Sequence, residues 1–321
     1  MKMKIKTGIA LGLTAVAVTA GARELRVLAI GNSFSQSLMK ELPAVAAAMP
    51  DCKLNFANMM IGGCPLERHW DNVEKAATDP SFKPYSISKS YAFDVEKGKS
   101  LPRKANIPEM LVADRWDIVT IQQASPKSPF YDTYQPYADK LIAKIRELAP
   151  QAEIRIQETW SYSPYSGLLA DWKMNPKTMY ESIKAAYDRL ATAYSFKVIP
   201  AGDAVQLFRE RLPVKYAKVS TPAEIAAMKQ PEVLDFHHDP VGNSRWGKGR
   251  KGRKDANEVK LRVDAIHLNA EGQYLQACVW VAALFDVDIT KLAYAPNLPD
   301  FAERAALMRR CAADAVAARR K

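Results

Sequence analysis

The chain has 321 residues, 46 of them Lys or Arg and 35 Asp or Glu, and 48% are apolar. That apolar share excludes a disordered protein and is enough for a sizeable core, while 14 Gly and 20 Pro exclude a collagen-like or low-complexity fibre. The formal charge is +11, and it falls to +8 without the first three lysines.

Those lysines open the chain. Lys2, Lys4 and Lys6 precede an uncharged run from Gly8 to Ala20, and Ala20-Gly21-Ala22 puts small residues at −3 and −1 of a cut before Arg23. The run is about 13 residues, against the ~20 that span a bilayer, so residues 1–22 read as a signal peptide rather than an anchor. No later segment is apolar enough for a membrane span. The mature protein is therefore expected to be secreted or periplasmic.

Strands and helices then alternate. Leu25–Ile30 is a short apolar run ending in Gly31, and Leu38–Met49 carries apolar residues at helical spacing. Lys53–Asn58, Asp117–Ile121, Glu153–Gln157 and Lys197–Ile199 supply four more strands. Helices are expected at Tyr137–Leu148, Thr178–Tyr194, Ala204–Arg211 and Ala270–Phe285. This rhythm predicts a three-layer α/β/α fold around a central, mostly parallel five-stranded sheet, of flavodoxin-like type.

Two stretches interrupt it. Residues 79–110 hold four prolines among polar residues and read as a surface excursion. Residues 213–262 include the basic run Arg245–Lys254, which reads as a solvated loop or as a cationic contact for an anionic glycan. Residues 300–319 place Phe301, Ala305, Met308, Ala312 and Ala315 on one helical face, as a docked terminal helix would. The domain would thus span 23–297, with a C-terminal helix at 298–321. The cysteines are read as buried thiols, since the strand between Cys52 and Cys64 holds these two too far apart for a bridge.

Ligands of open α/β sheets bind beyond the carboxyl ends of strands. There, Ile30-Gly31-Asn32-Ser33 puts a serine at the start of a helix. Its hydroxyl is a nucleophile only if a base takes the proton. Asp264-Ala-Ile-His267 offers one, because an aspartate three residues before a histidine can fold back onto Nδ1 and leave Nε2 free. Each motif alone has a plainer reading, as a helix cap or a core histidine.

Taken together, Gly31-Asn32-Ser33 and Asp264-x-x-His267 resemble the first and last blocks of the SGNH (GDSL-like) hydrolases. More narrowly, IGNSFS, IGGCPLERHW, WDIVTIQQAS, ETWSY and DAIHLNAEGQYLQACVW resemble the bacterial DUF4886 family, from about Arg26 to Phe285. The resemblance implies Ser33 as nucleophile, His267 as general base and acid, and Asp264 as its partner. It further implies an oxyanion hole of the Ser33 N–H, Gly63 (or Gly62) and a polar side chain after the third strand. The usual Gly-x-Asn-Asp is absent; Gln122-Gln123 stand in its place, and Gln123 is favoured. Asn58, Arg68, Trp160 and Tyr162 are expected to line the substrate site, the aromatic pair as a wall for a sugar ring.

His69 is read as a surface histidine. His237-His238-Asp239, adjacent residues in one loop, would make a poor chelate, and no metal or cofactor is required. The implied activity is hydrolysis of a small acyl ester, such as acetyl, on a carbohydrate, with no nucleic-acid partner. Two other readings stand beside it: a non-catalytic glycan-binding protein using Trp70, Trp160 and the basic run, and an O-acyltransferase using the same triad.

Overall fold

The computed structural model describes residues 23–90, 101–212, 220–249, 252 and 254–320; the expected signal peptide lies outside them, as do Arg250, Lys251 and Arg253 of the basic run. In chain order, β1 (Arg23–Gly31) leads into a single turn, α1 (Ser33–Gln36), and then α2 (Leu38–Ala47), β2 (Cys52–Met60) and α3 (Leu66–Thr78). The first excursion holds β3 (Tyr85–Ser90), β4 (Lys104–Ala105) and α4 (Ile107–Ala113). The alternating part continues with β5 (Ile118–Ile121), α5 (Tyr137–Leu148), β6 (Glu153–Gln157), α6 (Gly167–Asp171), α7 (Pro176–Tyr194), β7 (Lys197–Ile199) and α8 (Ala201–Arg211). Beyond it lie α9 (Pro222–Ala227), β8 (Val241–Gly247), β9 (Lys260–Leu268), α10 (Ala270–Phe285) and α11 (Ala302–Ala318).

The sheet order is β4-β3-β2-β1-β5-β6-β7. The five strands expected from the sequence form its parallel part, β2-β1-β5-β6-β7. β1 and β5 are central because Val27–Ile30 and Ile118–Ile121 are all buried, as strands covered by helices on both faces must be. The register aligns Gly31 with Met60 and Ile30 with Ile121, so the carboxyl ends of β1, β2 and β5 share one rim.

Two findings go beyond the sequence reading. The first excursion is no surface loop at its ends: β3 pairs antiparallel with β2 and β4 antiparallel with β3, with Tyr85 buried. In the second, the basic run starts on a strand, because β8 and β9 pair as a separate antiparallel ribbon. The ribbon is fixed at its base by Gly272. It sits in the first turn of α10, where a Cβ would meet the Pro240 carbonyl at 2.2 Å.

Helices α2, α8, α10 and α11 pack together in one layer, and α3, α4 and α5 in the other. α10 is apolar almost all round, with Leu275, Ala277–Ala282, Leu284 and Phe285 buried, so it needs cover on its outer side as well. α11 supplies it: Ala305, Met308, Cys311, Ala312 and Ala315 are buried, and Phe301 just before the helix packs edge-to-face on Tyr274 at 5.5 Å. All four cysteines are buried free thiols. No helix among the described residues is long and apolar enough to cross a membrane.

Candidate active site

The serine turn is built around Asn32. Its side-chain oxygen accepts the Phe34 N–H at 3.0 Å, capping α1, and also accepts from Gln122 Nε2 at 2.8 Å. Its Nδ2 donates to the Cys64 carbonyl at 3.2 Å. One buried amide thus ties together the segments that follow β1, β2 and β5. Gly31 leaves room for this turn, since a Cβ there would lie 2.3 Å from Ser35 Oγ. The Asn32 carbonyl takes the N–H groups of Ser35 and Gln36, which leaves the Ser33 N–H without a partner among the described residues.

Ser33 Oγ lies 2.9 Å from His267 Nε2. On the other side of the ring, Nδ1 lies 2.9 Å from Asp264 Oδ2. The tautomer that satisfies both contacts carries its proton on Nδ1, so that the serine hydroxyl donates to Nε2. Asp264 Oδ1 also accepts the backbone N–H groups of Ile266 and His267, each at 3.1 Å. Partial burial pushes the Asp264 carboxyl up, but the hydrogen bonds from the His267 ring and from these two N–H groups outweigh it and bring it down to about 2. Asp264 is therefore a carboxylate across the working range of pH.

A second tier of contacts holds the two halves together. Trp160 stacks on Phe34 with ring centroids 3.9 Å apart and planes 1° from parallel. Its Nε1–H donates to the Ile266 carbonyl at 2.9 Å, while Phe34 meets the His267 ring at an angle of 65°. The Ser163 N–H donates to the Ala265 carbonyl. From α10, Gln276 Nε2 donates to the Phe34 carbonyl at 3.0 Å.

Several expected site residues serve in other ways. Gln123 is turned away from the serine: its Nε2 donates to Thr133 O and Oγ1, and its Oε1 accepts from the N–H groups of Leu66 and Ala124. Gln122 is the amide that lies against the serine turn. Asn58 is completely buried beneath it, joining Ser35 Oγ to Gln36 Oε1, and has no exposed surface to line a cleft. Trp160 and Tyr162 are also completely buried, so neither is a wall for a sugar, and the Tyr162 hydroxyl donates to Ser125. Arg68 is exposed on α3 and makes no hydrogen bond with the triad.

His69 is not a surface residue. It is fully buried, with Nδ1 2.8 Å from the Tyr85 hydroxyl, and burial followed by the nearby Arg68 charge pushes its pKa down to about 3. Gly62 and Gly63 stand exposed in a turn closed by the Cys64 N–H on the Ile61 carbonyl. Gly63 has a φ of 61°, in the left-handed region that favours glycine. In the His237-His238-Asp239 loop, Asp239 is buried against Arg209 at 3.0 Å. No group of three or more potential metal ligands occurs among the described residues.

Sequence reasoning missed Asn32, though it stands inside the motif, and it missed Tyr165. The latter lines a cavity of about 620 Å³ with Arg245, Lys248, Arg262, Asp264 and His267. Position after β6 signalled an aromatic wall there, but the residue is three places beyond Tyr162.

Residues 26–214 match the family described as "Domain of unknown function (DUF4886)", a span that holds Ser33 and stops short of Asp264 and His267. The crystal structure of a DUF4886 family protein from Bacteroides uniformis is 27% identical, with a TM-score of 0.69 over 92% of this chain and 95% of that one. A provisionally named SGNH hydrolase from Slackia heliotrinireducens is 16% identical, with a TM-score of 0.42 over 82% of this chain and 100% of that one. A GDSL-like lipase from Bacteroides thetaiotaomicron is 11% identical, with a TM-score of 0.37 over 81% and 88%. No curated protein matches. The family match alone takes in more than half of the residues, and the chain belongs to the DUF4886 family.

Proposed function

We propose that the protein is a serine esterase that removes a small acyl group, such as acetyl, from a carbohydrate outside the cytoplasm. The single observation that carries the reading is the continuous path from Ser33 Oγ through the His267 ring to Asp264, with both links at 2.9 Å. Those are the distances and the order that a hydroxyl needs to become a nucleophile.

In this reading Ser33 Oγ attacks the ester carbonyl carbon as its proton passes to His267 Nε2. Asp264 keeps the ring in the right tautomer and steadies the positive charge. The Ser33 N–H, the Gly63 N–H and an amide N–H of Gln122 hold the developing oxyanion; Gln122 replaces Gln123 because the latter's amide is committed to Thr133. Each such donor is worth about 3 kcal/mol in the transition state. Collapse of the intermediate breaks the bond to the sugar oxygen, which leaves with the proton from Nε2. Water then loses a proton to Nε2 and attacks the acyl carbon, and the serine recovers its hydrogen. No step calls for a metal or organic cofactor.

The substrate class draws its support from the expected signal peptide and from the cavity beside the histidine, whose lining carries Arg245, Lys248, Asp255 and Arg262. Fluorophosphonate labelling of the mature protein, with mapping of the modified residue, tests the chemistry together with a p-nitrophenyl acetate assay. Labelling is expected at Ser33, and Ser33→Ala is expected to lower kcat by about 10³-fold or more. Equal turnover by both proteins would remove Ser33 from the role.

A further inference from the structure

The cavity beside His267 has a charge balance that the esterase chemistry does not use. At about 620 Å³ it lies in the range of small-molecule sites. In the ribbon, Arg245 pairs with Arg262, and two positions along each strand Asn243 pairs with Asp264. Residues two apart on a strand share a face, so both arginines stand on the same side as the triad carboxylate.

The acidic groups of this wall are already engaged. Asp264 is bound to His267, and Asp255 is bound to Arg262, which also donates to the carbonyls of Gly247, Asp255 and Glu258. Arg245 and Lys248 are exposed and form no ion pair with a described residue. Like charges placed directly opposite on paired strands repel, and one aspartate neutralises only one of the two guanidiniums. The wall therefore carries a positive excess facing the cavity, which raises the local concentration of anions. A guanidinium offers forked donors to a carboxylate or a sulfate.

Tyr165 forms the facing wall. Its ring meets Phe236 edge-to-face at 5.0 Å, and its hydroxyl donates to the Asp235 carbonyl at 3.2 Å, so the ring is held in place. Such a ring offers an apolar face to a sugar.

We infer that this cavity seats an anionic sugar residue, with its carboxylate or sulfate on Arg245 and Lys248, so that the substrates are acyl esters of acidic polysaccharides. The inference rests on the esterase reading for its reaction, and on the cavity alone for its binding. The test is calorimetric titration of the Ser33→Ala variant with an oligogalacturonate, a heparin-derived oligosaccharide and a neutral xylo-oligosaccharide of equal length. At least one anionic ligand is expected to bind tenfold or more tighter than the neutral one, and the arm that binds distinguishes carboxylate from sulfate.

Its affinity is expected to fall at least tenfold with Arg245→Gln/Lys248→Gln, and again between 50 and 500 mM salt. The charge-preserving exchange Arg245→Lys/Lys248→Arg should restore most of it. Equal binding of the neutral ligand, no binding of any, or indifference to Arg245→Gln/Lys248→Gln would overturn the inference. Anion binding without fluorophosphonate labelling of the wild type would sink the esterase reading alone, whereas labelling without anion preference would sink this one alone.

Discussion

At the scale of single residues, Asp264 is the most heavily hydrogen-bonded member of the proposed triad. Three donors converge on its carboxylate, and its pKa in the fold is held near 2, against 3.8 for a free aspartate. A lowered carboxyl pKa contributes stability that is full above about pH 4 and is lost as pH falls through about 2. Thermal melts of wild type and Asp264→Asn should therefore differ most above pH 4 and converge towards pH 2. At neutral pH the same variant should lose about 10⁴-fold in kcat, because an amide steers the ring towards the wrong tautomer.

The residues proposed to carry the chemistry could be picked out because their spacing is local. Asp264 and His267 are three apart, and Ser33 follows Gly31 directly after a strand. The direction of neighbouring side chains was not legible. Gln122 and Gln123 are consecutive, and a run of two glutamines carries no mark of which one faces the serine. Trp160 and Tyr162 follow a strand just as wall residues do, and only packing shows that both point inward.

At the scale of elements, α1 and β9 must be held in register although neither touches the other through backbone hydrogen bonds. Trp160 does much of this, lying on Phe34 from α1 and donating to Ile266 from β9. Trp160→Phe keeps a ring for the stack but leaves a buried carbonyl without its donor. A loss of about 1–3 kcal/mol is expected in urea unfolding, with kcat falling more than KM rises. An unchanged kcat would show that β9 is held by other contacts alone.

The parallel strands were readable because each carries apolar or β-branched residues in a short stretch, continuous from Val27 to Ile30 in β1 and through β5, and broken by Asn55 in β2 and Arg155 in β6. β3 was hidden by Ser86, Ser88 and Ser90, which suit an edge rather than a centre. The ribbon was hidden because β8 has no apolar run and β9 is interrupted by Lys260, Arg262 and Asp264, so its pairing depends on register rather than on hydrophobic pattern.

Over the whole molecule, the end of α11 is anchored by the side chain that follows it, in addition to its buried face. Arg319 reaches Glu158 at 2.8 Å, Asp203 at 2.7 Å and Asp188, so a single guanidinium serves three carboxylates. Burial, and then the neighbouring Asp203 charge, raise Glu158 to about 8. A raised carboxyl pKa makes stability fall as pH climbs from 4.5 through 8, since the folded chain there holds a proton that the unfolded one has released. Removing Arg319 strands these carboxylates. Arg319→Ala should cost about 3 kcal/mol near pH 8, and less towards pH 5, where Glu158 is neutral in either protein. Urea titrations at the two pH values check both the size and the sign.

Ser33 and His267 are separated by 234 positions in the chain, and the ribbon bearing the histidine shares no strand with the main sheet. In the proposed enzyme, then, competence arrives late and all at once. A chain still short of its last sixty residues carries every strand of the parallel sheet and the serine, but neither the base nor the helix that covers the sheet, so esters are safe from it until the distal piece docks. Catalysis is in that sense a certificate that the fold has closed.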